Sequence, residues 1–494
     1  MRARRIALIL MAAILQACKV GPNFKPPQEP VPDQYAGVKV RPPEPAPQPA
    51  SDSAAPSFWW REFHDPELDD LVEDTRKGNL DLKAAYLRIV EARIQVQAAR
   101  AQGLPSLDAS ASYMRDQLGL AGILKSQHLD TASGPASSPE AQGLISSLEK
   151  PVNIYQLGFD ASWEIDLFGK VRRSVEAANA QSVSAVESRN DLLVSLEAEV
   201  VQTYFQLRAS QSLRQIALDE IAAQREIAEL TQNRHEHGLA GEPDVDAARA
   251  QLASLQAELP PYEQTIVASR HALAVLIGQT PESLDARFGD HGELPPLPAN
   301  VPVGVPSVLA RRRPDIRNSE AVLHAATAEI GVSIAGLYPD ISLAGSAGLR
   351  NLSTGYLFNW SSHFYTFGPT VSLPIFQGGA LIANVRLSKA QAAEAALSYR
   401  KTVLGALQEV EDGLNALDED AQRIAALKQT VGADQRAVEV QLDAYGHGVI
   451  SYITVLTLQL QTIQARQQLA EAMLTQSTDL VKLYKALGGG WQDA

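Results

Sequence analysis

The sequence is poor in cysteine and in aromatic residues. Its one cysteine, Cys18, stands close to the start of the 494-residue chain, so an internal disulfide is excluded. Aromatic residues make up only 6% of the chain, although apolar residues make up 45%. Alanine, leucine, glutamine and glutamate fill the extended stretches instead, and this composition is typical of long helices that pack side by side.

Basic charge and catalytic motifs are also scarce. The formal net charge is −14, and no lysine or arginine cluster alternates with aromatic residues, so nucleic acid is not expected as a partner. There is no Gly-rich phosphate loop, no HExxH motif and no GxSxG motif, and the histidines lack cysteine partners for zinc. The sequence therefore predicts neither an enzyme nor a bound metal or organic cofactor.

Long apolar runs are missing too, since a membrane-spanning helix needs about 20 apolar residues. Residues 6–15 form a run of about half that length after three arginines, which is typical of a secretory signal peptide. The run leads into a Leu-x-Ala-Cys sequence that resembles a bacterial lipobox, in which Cys18 becomes the first mature residue and carries diacylglycerol and palmitate. A plain signal peptide with a coincidental cysteine is the alternative. Lys19, where an aspartate would resemble an inner-membrane retention signal, indicates the outer membrane.

The chain consists of two copies of one plan. Asp81 and Leu107 lie 234 residues before Asp315 and Ile341. Three further pairs repeat at an offset of 210 residues, namely Glu199 with Glu409, His237 with His447, and Gly278 with Gly488. Internal repetition constrains the architecture before any local motif does. Each copy is predicted to contain a helix, two strands, a very long helix and a returning helix.

The predicted boundaries follow from these copies. Eleven of the 29 prolines lie between residues 19 and 56, so this segment is expected to be an extended, solvated tether. The predicted order is a signal peptide over 1–17, an acylated Pro-rich tether over 18–56, a first repeat over 57–278, a linker over 279–312, a second repeat over 313–488 and a tail over 489–494. Helices are expected at 79–104, 170–237 and 243–278, and again at 313–338, 379–446 and 452–487.

A two-residue alternation predicts four strands, at about 105–116, 152–164, 339–350 and 364–375. Strands of this kind with aromatic residues near their ends are typical of outer-membrane proteins, and a soluble antiparallel sheet is the alternative. A charge is expected to block assembly at Leu157 or Phe159 and to be tolerated on the other face, at Gly158 or Ser162. The segment between the first two strands, about 117–151, is expected to be a mobile surface loop.

Four strands are too few to close a barrel, because about eight is the practical minimum. Open strand edges are not tolerated in lipid. If the strands lie in a membrane, several copies of the chain must therefore contribute to one barrel.

Several motifs, in this order and spacing, match those of one family. They are Cys-Lys-Val-Gly-Pro-Asn-Phe at 18–24, Phe-His-Asp-Pro at 63–66, Trp-Glu-Ile-Asp-Leu-Phe-Gly at 163–169, Arg-Arg-Pro-Asp-Ile at 312–316, Pro-Ile-Phe-Gln-Gly-Gly at 374–379 and Gly-Val-Ile-Ser-Tyr-Ile-Thr-Val-Leu at 448–456. With these motifs the chain resembles the TolC-like outer membrane factors, in the OprM/NodT lipoprotein branch that serves RND-type tripartite efflux pumps. The resemblance extends from Cys18 to Gly488.

The resemblance implies a mostly α-helical, internally duplicated protomer with four membrane strands and long coiled-coil helices. A homotrimer would form a 12-stranded β-barrel in the outer membrane of a Gram-negative bacterium, above a 12-helix tunnel in the periplasm, with the 279–312 linker at the equator. A periplasmic adaptor (membrane fusion) protein and an inner-membrane transporter would dock at the tip of the tunnel. The channel would passively conduct drugs or other small toxic compounds outwards.

The turns between the long and the returning helices are the expected adaptor contact. They contain Gly238 and Leu239 in the first copy, and Gly448, Val449 and Ser451 in the second. A glycine also ends a long helix at little cost, so a structural role accompanies the functional one.

The resemblance also implies a periplasmic gate just beyond the second turn. Family members place a hydrophobic residue there, which matches Ile453, and some place Asp where this chain has Thr454 and Thr457. An anionic ring from this helix is therefore absent, and closure is expected to depend on apolar contact and hydroxyl hydrogen bonds. Asp244, on the first returning helix, is expected to tie neighbouring helices together. Packing of Ile453 in a groove between helices is the alternative.

Three histidines, His235, His237 and His447, lie near these turns. A trimer would bring nine of them to the tip, which admits a metal ring or a pH switch. Solvated histidines before a helix-ending glycine are the simpler interpretation, and no metal site is predicted.

Two alternatives to small-molecule efflux remain open at this stage. One is the outer-membrane channel of a type I protein secretion system. The other is a lipid-anchored periplasmic coiled-coil scaffold whose strands form a soluble sheet.

Overall fold

The computed structural model describes residues 19–27, 30, 32, 34–36, 48–50, 57–117, 139, 150–289, 292–298 and 300–491. The predicted signal peptide, Cys18, most of the tether, nearly all of the 117–151 loop and the last three residues lie outside this part of the chain. The chain divides into two compact units. The first contains Met1–Phe24, Arg93–Asn179 and His324–Ala393, and the second contains Lys25–Ala92, Ala180–Leu323 and Glu394–Ala494.

The described residues are mostly helical, which confirms the predicted fold class. The helices are α1 (Pro66–Gly78), α2 (Leu80–Ala101), α3 (Lys170–Glu236), α4 (Glu242–Leu276), α5 (Pro306–Arg312), α6 (Pro314–Ala335), α7 (Ala380–Gly446) and α8 (Tyr452–Ala486). The long helices α3 and α7 have 67 residues each, and the returning helices α4 and α8 have 35 each. None of the helices in the described ranges is both long and apolar enough to cross a membrane.

Two predicted helix ends are wrong by three residues. The first helix of each copy was expected to reach residues 104 and 338, but α2 ends at Ala101 and α6 at Ala335. Pro105 and Pro339 follow closely, and a proline disfavours helical geometry in the residue before it. The chain therefore turns before each strand begins.

The strands are β1 (Gln48–Ala50), β2 (Ser106–Asp116), β3 (Val152–Glu164), β4 (Asn300–Pro302), β5 (Asp340–Asn351) and β6 (His363–Ser372). In the first unit β2, β3, β5 and β6 form one antiparallel sheet in that order. In the second unit β1 and β4 form a short parallel pair. The last strand was expected to reach residue 375, but it ends at Ser372, because Pro374 has no N–H to donate to a neighbouring strand.

The register of the sheet aligns the alternation of all four strands. Phe159 lies opposite Ala109 on one side and Ala347 on the other. Directly opposed residues share a face, so the apolar and small positions form one continuous face and the polar positions form the other. On the polar face, Ser110 Oγ donates to Asp160 Oδ2 at 2.8 Å. The apolar face carries exposed large side chains, including those of Leu107, Tyr113, Leu157, Phe159, Tyr365, Phe367 and Val371.

Gly158 lies on the polar face but has no room for a side chain. A Cβ at this position would lie 2.8 Å from the carbonyl oxygen of Ala347 and 3.3 Å from Cα of Gly348. Gly158 and Gly348 are directly opposed, so β3 and β5 approach closely at this point. The prediction that a charge is tolerated at Gly158 is therefore wrong. Ser162 is exposed on the same face and remains the suitable position for that test.

The Pro-rich tether is not solvated throughout, contrary to the prediction. In the first unit, Val20 N donates to Phe168 O at 3.2 Å, and the buried Arg173 donates through Nε to Val20 O at 3.0 Å. In the second unit, Tyr35 is buried and Ala36 N donates to a glutamate side chain at 2.8 Å. A proline-rich segment retains carbonyl acceptors and some N–H donors, and folded neighbours pair with them here.

Equivalent positions of the two copies make equivalent contacts in the second unit. Asn79 Nδ2 donates to Leu276 O at 2.8 Å, and Arg313 Nη1 donates to Ala486 O at 2.9 Å. The donors lie 234 residues apart and the acceptors 210, which are the two offsets of the sequence repeat. In each copy, the contact fastens the start of the first helix to the end of the returning helix, although the side chains differ.

An aromatic core stabilises the second unit around the 3-10 turn Trp59–Phe63. Trp59 stacks on Tyr484 with ring centroids 5.1 Å apart, and Phe63 meets the edge of Phe205 at 5.0 Å. All four rings are buried. This core joins the segment before α1 to the long helix α3 and the returning helix α8.

Candidate functional site

The turns that end α3 and α7 share one backbone geometry. Gly238 and Gly448 have φ angles of 71° and 77°, a left-handed conformation that glycine adopts without a Cβ clash. In both turns the glycine N–H and the next N–H donate to carbonyl groups of the preceding helix, at 2.8 to 2.9 Å. The following residues, Leu239 and Val449, expose their side chains. Each turn therefore presents an aliphatic residue on a fixed backbone.

A buried cluster lies beneath the turns and joins the ends of α3, α4, α7 and α8. It consists of Ile227, Ala248, Tyr445, Tyr452 and Val455. Gln224 Nε2 donates to the Tyr452 hydroxyl at 2.9 Å, and burial raises the pKa of this phenol. The cluster makes the tip of one protomer a packed structure.

Arg234 connects the two turns. Its Nη1 donates to Tyr445 O at 2.6 Å and to Gly446 O at 3.2 Å, and its guanidinium carbon lies 4.5 Å from the Tyr445 ring centroid. These contacts satisfy carbonyls at the end of α7 and add a cation–π interaction. Sequence reasoning missed Arg234. The available signal was the pair Tyr445 and Tyr452, which flanks a turn in a chain poor in aromatic residues.

The predicted gate residues lie together at the start of α8. Ile453 is 59% exposed and does not pack into a groove of the described protomer. The Thr457 hydroxyl donates to Ile453 O at 2.8 Å, and the hydroxyls of Ser451 and Thr454 are 3.3 Å apart. The structure therefore brings together an exposed β-branched side chain and neutral hydroxyl groups.

Asp244 contacts its own helix. Its Oδ2 accepts a hydrogen bond from Gly241 N at 3.2 Å, so it satisfies a free N–H at the start of α4. Within the described protomer, the expected tie between neighbouring helices is not what this hydrogen bond provides.

The tip histidines hydrogen-bond to backbone carbonyls. Nδ1 donates to a carbonyl oxygen 3.0 Å away in His235, 2.8 Å away in His237 and 2.9 Å away in His447. Within the described ranges, no three His, Cys, Asp or Glu side chains are grouped so that they could hold a metal ion.

The sequence profile of the family described as Outer membrane efflux protein matches residues 71–279 and 305–489. The antibiotic efflux pump outer membrane protein ArpC of Pseudomonas putida is 31% identical over 498 residues, which cover 99% of this chain and 96% of the relative. Nodulation protein T of Rhizobium leguminosarum bv. viciae is 32% identical over 495 residues, which cover 99% of this chain and 94% of the relative.

Solved structures agree with the sequence comparison. The outer-membrane channel OprN superposes with a TM-score of 0.83 at 31% sequence identity, covering 96% of this chain and all of that one. The agreement of profile, relatives and fold confirms the family expected from the motifs. The chain belongs to the outer membrane efflux protein family and is an outer-membrane efflux channel of the OprM/NodT type.

Proposed function

We propose that three copies of this chain form a closed 12-stranded barrel that serves as the exit of an efflux pump. The observation that carries this proposal is the sheet, whose four strands share one apolar face with exposed large side chains. Within the described residues β2 and β6 each pair on one side only, so the sheet has two open edges. Lipid does not tolerate open edges, and pairing β6 of one copy with β2 of the next removes all of them.

The same threefold arrangement would join four helical segments from each copy into a 12-helix periplasmic tunnel. The exposed Leu239 and Val449 at the turns are the proposed contacts of a periplasmic adaptor, with Gly238, Gly448 and Ser451 shaping the turns. An inner-membrane transporter would select and drive the substrate. The name of the relative ArpC favours antibiotics or other small toxic compounds as substrates, so protein secretion and a scaffold role are not favoured.

A lipid anchor at Cys18 accompanies this barrel. Lys19 forms an ion pair with Glu176, and Arg173 donates to the same carboxylate at 2.8 Å. Burial alone would raise the pKa of Glu176, but hydrogen bonds from Lys19, His324 and Arg173 lower it to about 2. Phe24 stacks on His324 with ring centroids 4.3 Å apart. The residues that follow Cys18 are therefore firmly held in the unit that contains the sheet.

The backbone contact between Val20 and Phe168 places this anchor near the end of β3. Phe168 lies four residues after Glu164, the last residue of the strand, and Cys18 lies two residues before Val20. Two residues span about 7 Å at most, so acyl chains on Cys18 can reach the lipid that surrounds the strand ends. Cys18→Ser should abolish acylation and leave the trimer intact. An unmodified mature N-terminus in the wild-type protein, found by mass spectrometry, would exclude the anchor.

The resting gate in this proposal is Ile453. Three copies around a threefold axis would present adjacent β-branched side chains to one another and dewet a narrow aperture. Thr454 and Thr457 are neutral and Asp244 caps its own helix, so the seal should respond weakly to acid and to divalent cations.

The test is Ile453→Ser in planar bilayers and in cells. The variant should increase single-channel conductance and antibiotic entry while trimer assembly is unchanged. Val440→Ser is the matched control, because Val440 is an equally exposed β-branched residue on α7, away from the turn. Thr457→Asp should add three carboxylates and make conductance sensitive to divalent cations and acid. Wild-type conductance in Ile453→Ser would place the seal elsewhere.

A further inference from the structure

A cavity of about 410 Å³ lies among helices α3, α4, α7 and α8 of the second unit. Its volume is in the range of sites that hold drug-sized molecules. Ile227, Leu255 and Leu442 form part of its apolar wall. The proposed export function does not use this space, since the gate and turn residues are not among those that line it.

Glu220 projects into this cavity as a buried acceptor. Its side chain is only 9% exposed, and its Oε1 accepts no hydrogen bond from the described residues. Arg466 Nη1 is the nearest cationic group, at 3.6 Å, which is too far for a hydrogen bond. Buried carboxylate oxygens without a donor are costly, so this atom has unused capacity to bind an N–H group.

The other polar groups of the cavity are also acceptors. Gln459 lines the cavity, and its Oε1 has no partner within the described part of the chain. The amide oxygen of Gln435, oriented towards the guanidinium, accepts from Arg466 at 2.9 and 3.3 Å. Arg466 is therefore engaged by Gln435 and faces Glu220, while Glu439 adds a second carboxylate to the lining. The cavity lacks donors and has one more negative charge than positive charge.

We propose that this cavity binds an organic primary ammonium compound with an apolar body. The ammonium group would donate to Glu220 Oε1 and Gln459 Oε1, and the apolar body would pack against Ile227, Leu255 and Leu442. An ammonium group supplies the charge and the three donors that these acceptors need. A neutral apolar molecule would leave both acceptors unpaired.

The probe for this site is dansylcadaverine, which carries a primary ammonium on a fluorescent apolar ring system. Binding to the purified full-length protein should increase its emission, and the neutral N-acetyl derivative measures partition into detergent. Glu220→Gln should weaken the affinity for the ammonium form at least tenfold and leave the neutral form unaffected. Glu439→Gln is the matched control, because it removes a carboxylate that is exposed at the same cavity. Equal affinity in wild type and Glu220→Gln would overturn the proposal.

A second variant guards against indirect effects of the first. Ala223 is exposed and lines the cavity, so Ala223→Phe should fill the space without disturbing the packed core and should abolish binding. Burial, together with the nearby Glu258 carboxylate, raises the pKa of Glu220 to about 6 against the lowering effect of Arg466. The affinity of the wild type should therefore fall between pH 7.5 and 5. Binding that persists in Ala223→Phe would place the ligand outside the cavity, whatever the outcome of the conductance tests.

Discussion

The sheet of the first unit and the helices of the second unit expose opposite kinds of side chain. Phe159, Tyr365 and Phe367 in the sheet are each more than half exposed. Among the helices the side chain of Glu197 is fully buried and that of Arg313 is 10% exposed. One unit therefore exposes large apolar groups and the other buries charged ones.

This difference teaches which solvent each unit is built for. Exposed aromatic and aliphatic side chains are stable where lipid is the solvent, provided that every backbone group is paired. Buried charged groups require partners in a water-facing protein, because desolvation costs several kcal/mol per ion, and the helical unit supplies such partners. Arg313 donates to Asp315 at 2.8 Å and to Glu409 at 2.7 Å, for example. The apolar sheet and the charge-bearing helical core thus follow from one rule applied in two solvents.

The largest expected effect comes from placing a charge on the apolar face of the sheet. Phe159→Lys should prevent assembly, because a lysine facing lipid near the bilayer centre costs about 2–4 kcal/mol at each site. Ser162→Lys is the matched control on the other face of the same strand, where the proposed lumen is wet. The measurement is the fraction of heat-stable trimer in outer-membrane extracts. Similar yields for both variants would mean that the apolar face does not meet lipid.

The faces of the sheet could be predicted from sequence because alternation is a local property of each strand. Close approaches could not be predicted in the same way. The absence of space at Gly158 depends on Gly348, which lies on another strand and 190 residues further along the chain. The link from Arg234 to Tyr445 also joins residues far apart in sequence. The repeat offsets could have located the Asn79 contact, but the change to arginine in the second copy hid the equivalence.

An intermediate effect is expected from pH at Glu197 in the helical unit. Burial raises the pKa of this carboxyl to about 8, against the lowering effects of Arg76 and Arg189. The folded protein then binds more protons than the unfolded chain between the unfolded pKa of 4.5 and the folded value of about 8. The free energy of unfolding should therefore decrease as pH rises through this window, by about 1.4 kcal/mol per pH unit for this group.

Glu197→Gln separates this effect from other titrations. The glutamine oxygen can still accept the hydrogen bond that Arg76 Nε donates to Glu197 at 2.8 Å, but the site no longer titrates. The variant should have a flatter dependence of Tm on pH between 5.5 and 7.5, measured by helical circular dichroism in detergent. Glu199→Gln, on the same helix two residues away, is the control for a change of net charge. Parallel Tm profiles for wild type and Glu197→Gln would show that this carboxyl is ionised throughout.

The smallest expected effect concerns Asp244, where the two copies differ at the tip. Asp244 accepts from Gly241 N at the start of α4, whereas α8 begins with Tyr452 and Ile453 and no acidic residue in its first turn. If Asp244 acts only as a cap, Asp244→Ala should cost about 0.5–1 kcal/mol and increase amide exchange in the first turn of α4, with conductance unchanged. Asp246→Ala, one turn position further along the same helix, is the control for lost charge. A clear rise in conductance in Asp244→Ala alone would instead show that Asp244 reaches a neighbouring protomer and helps to hold the tip closed.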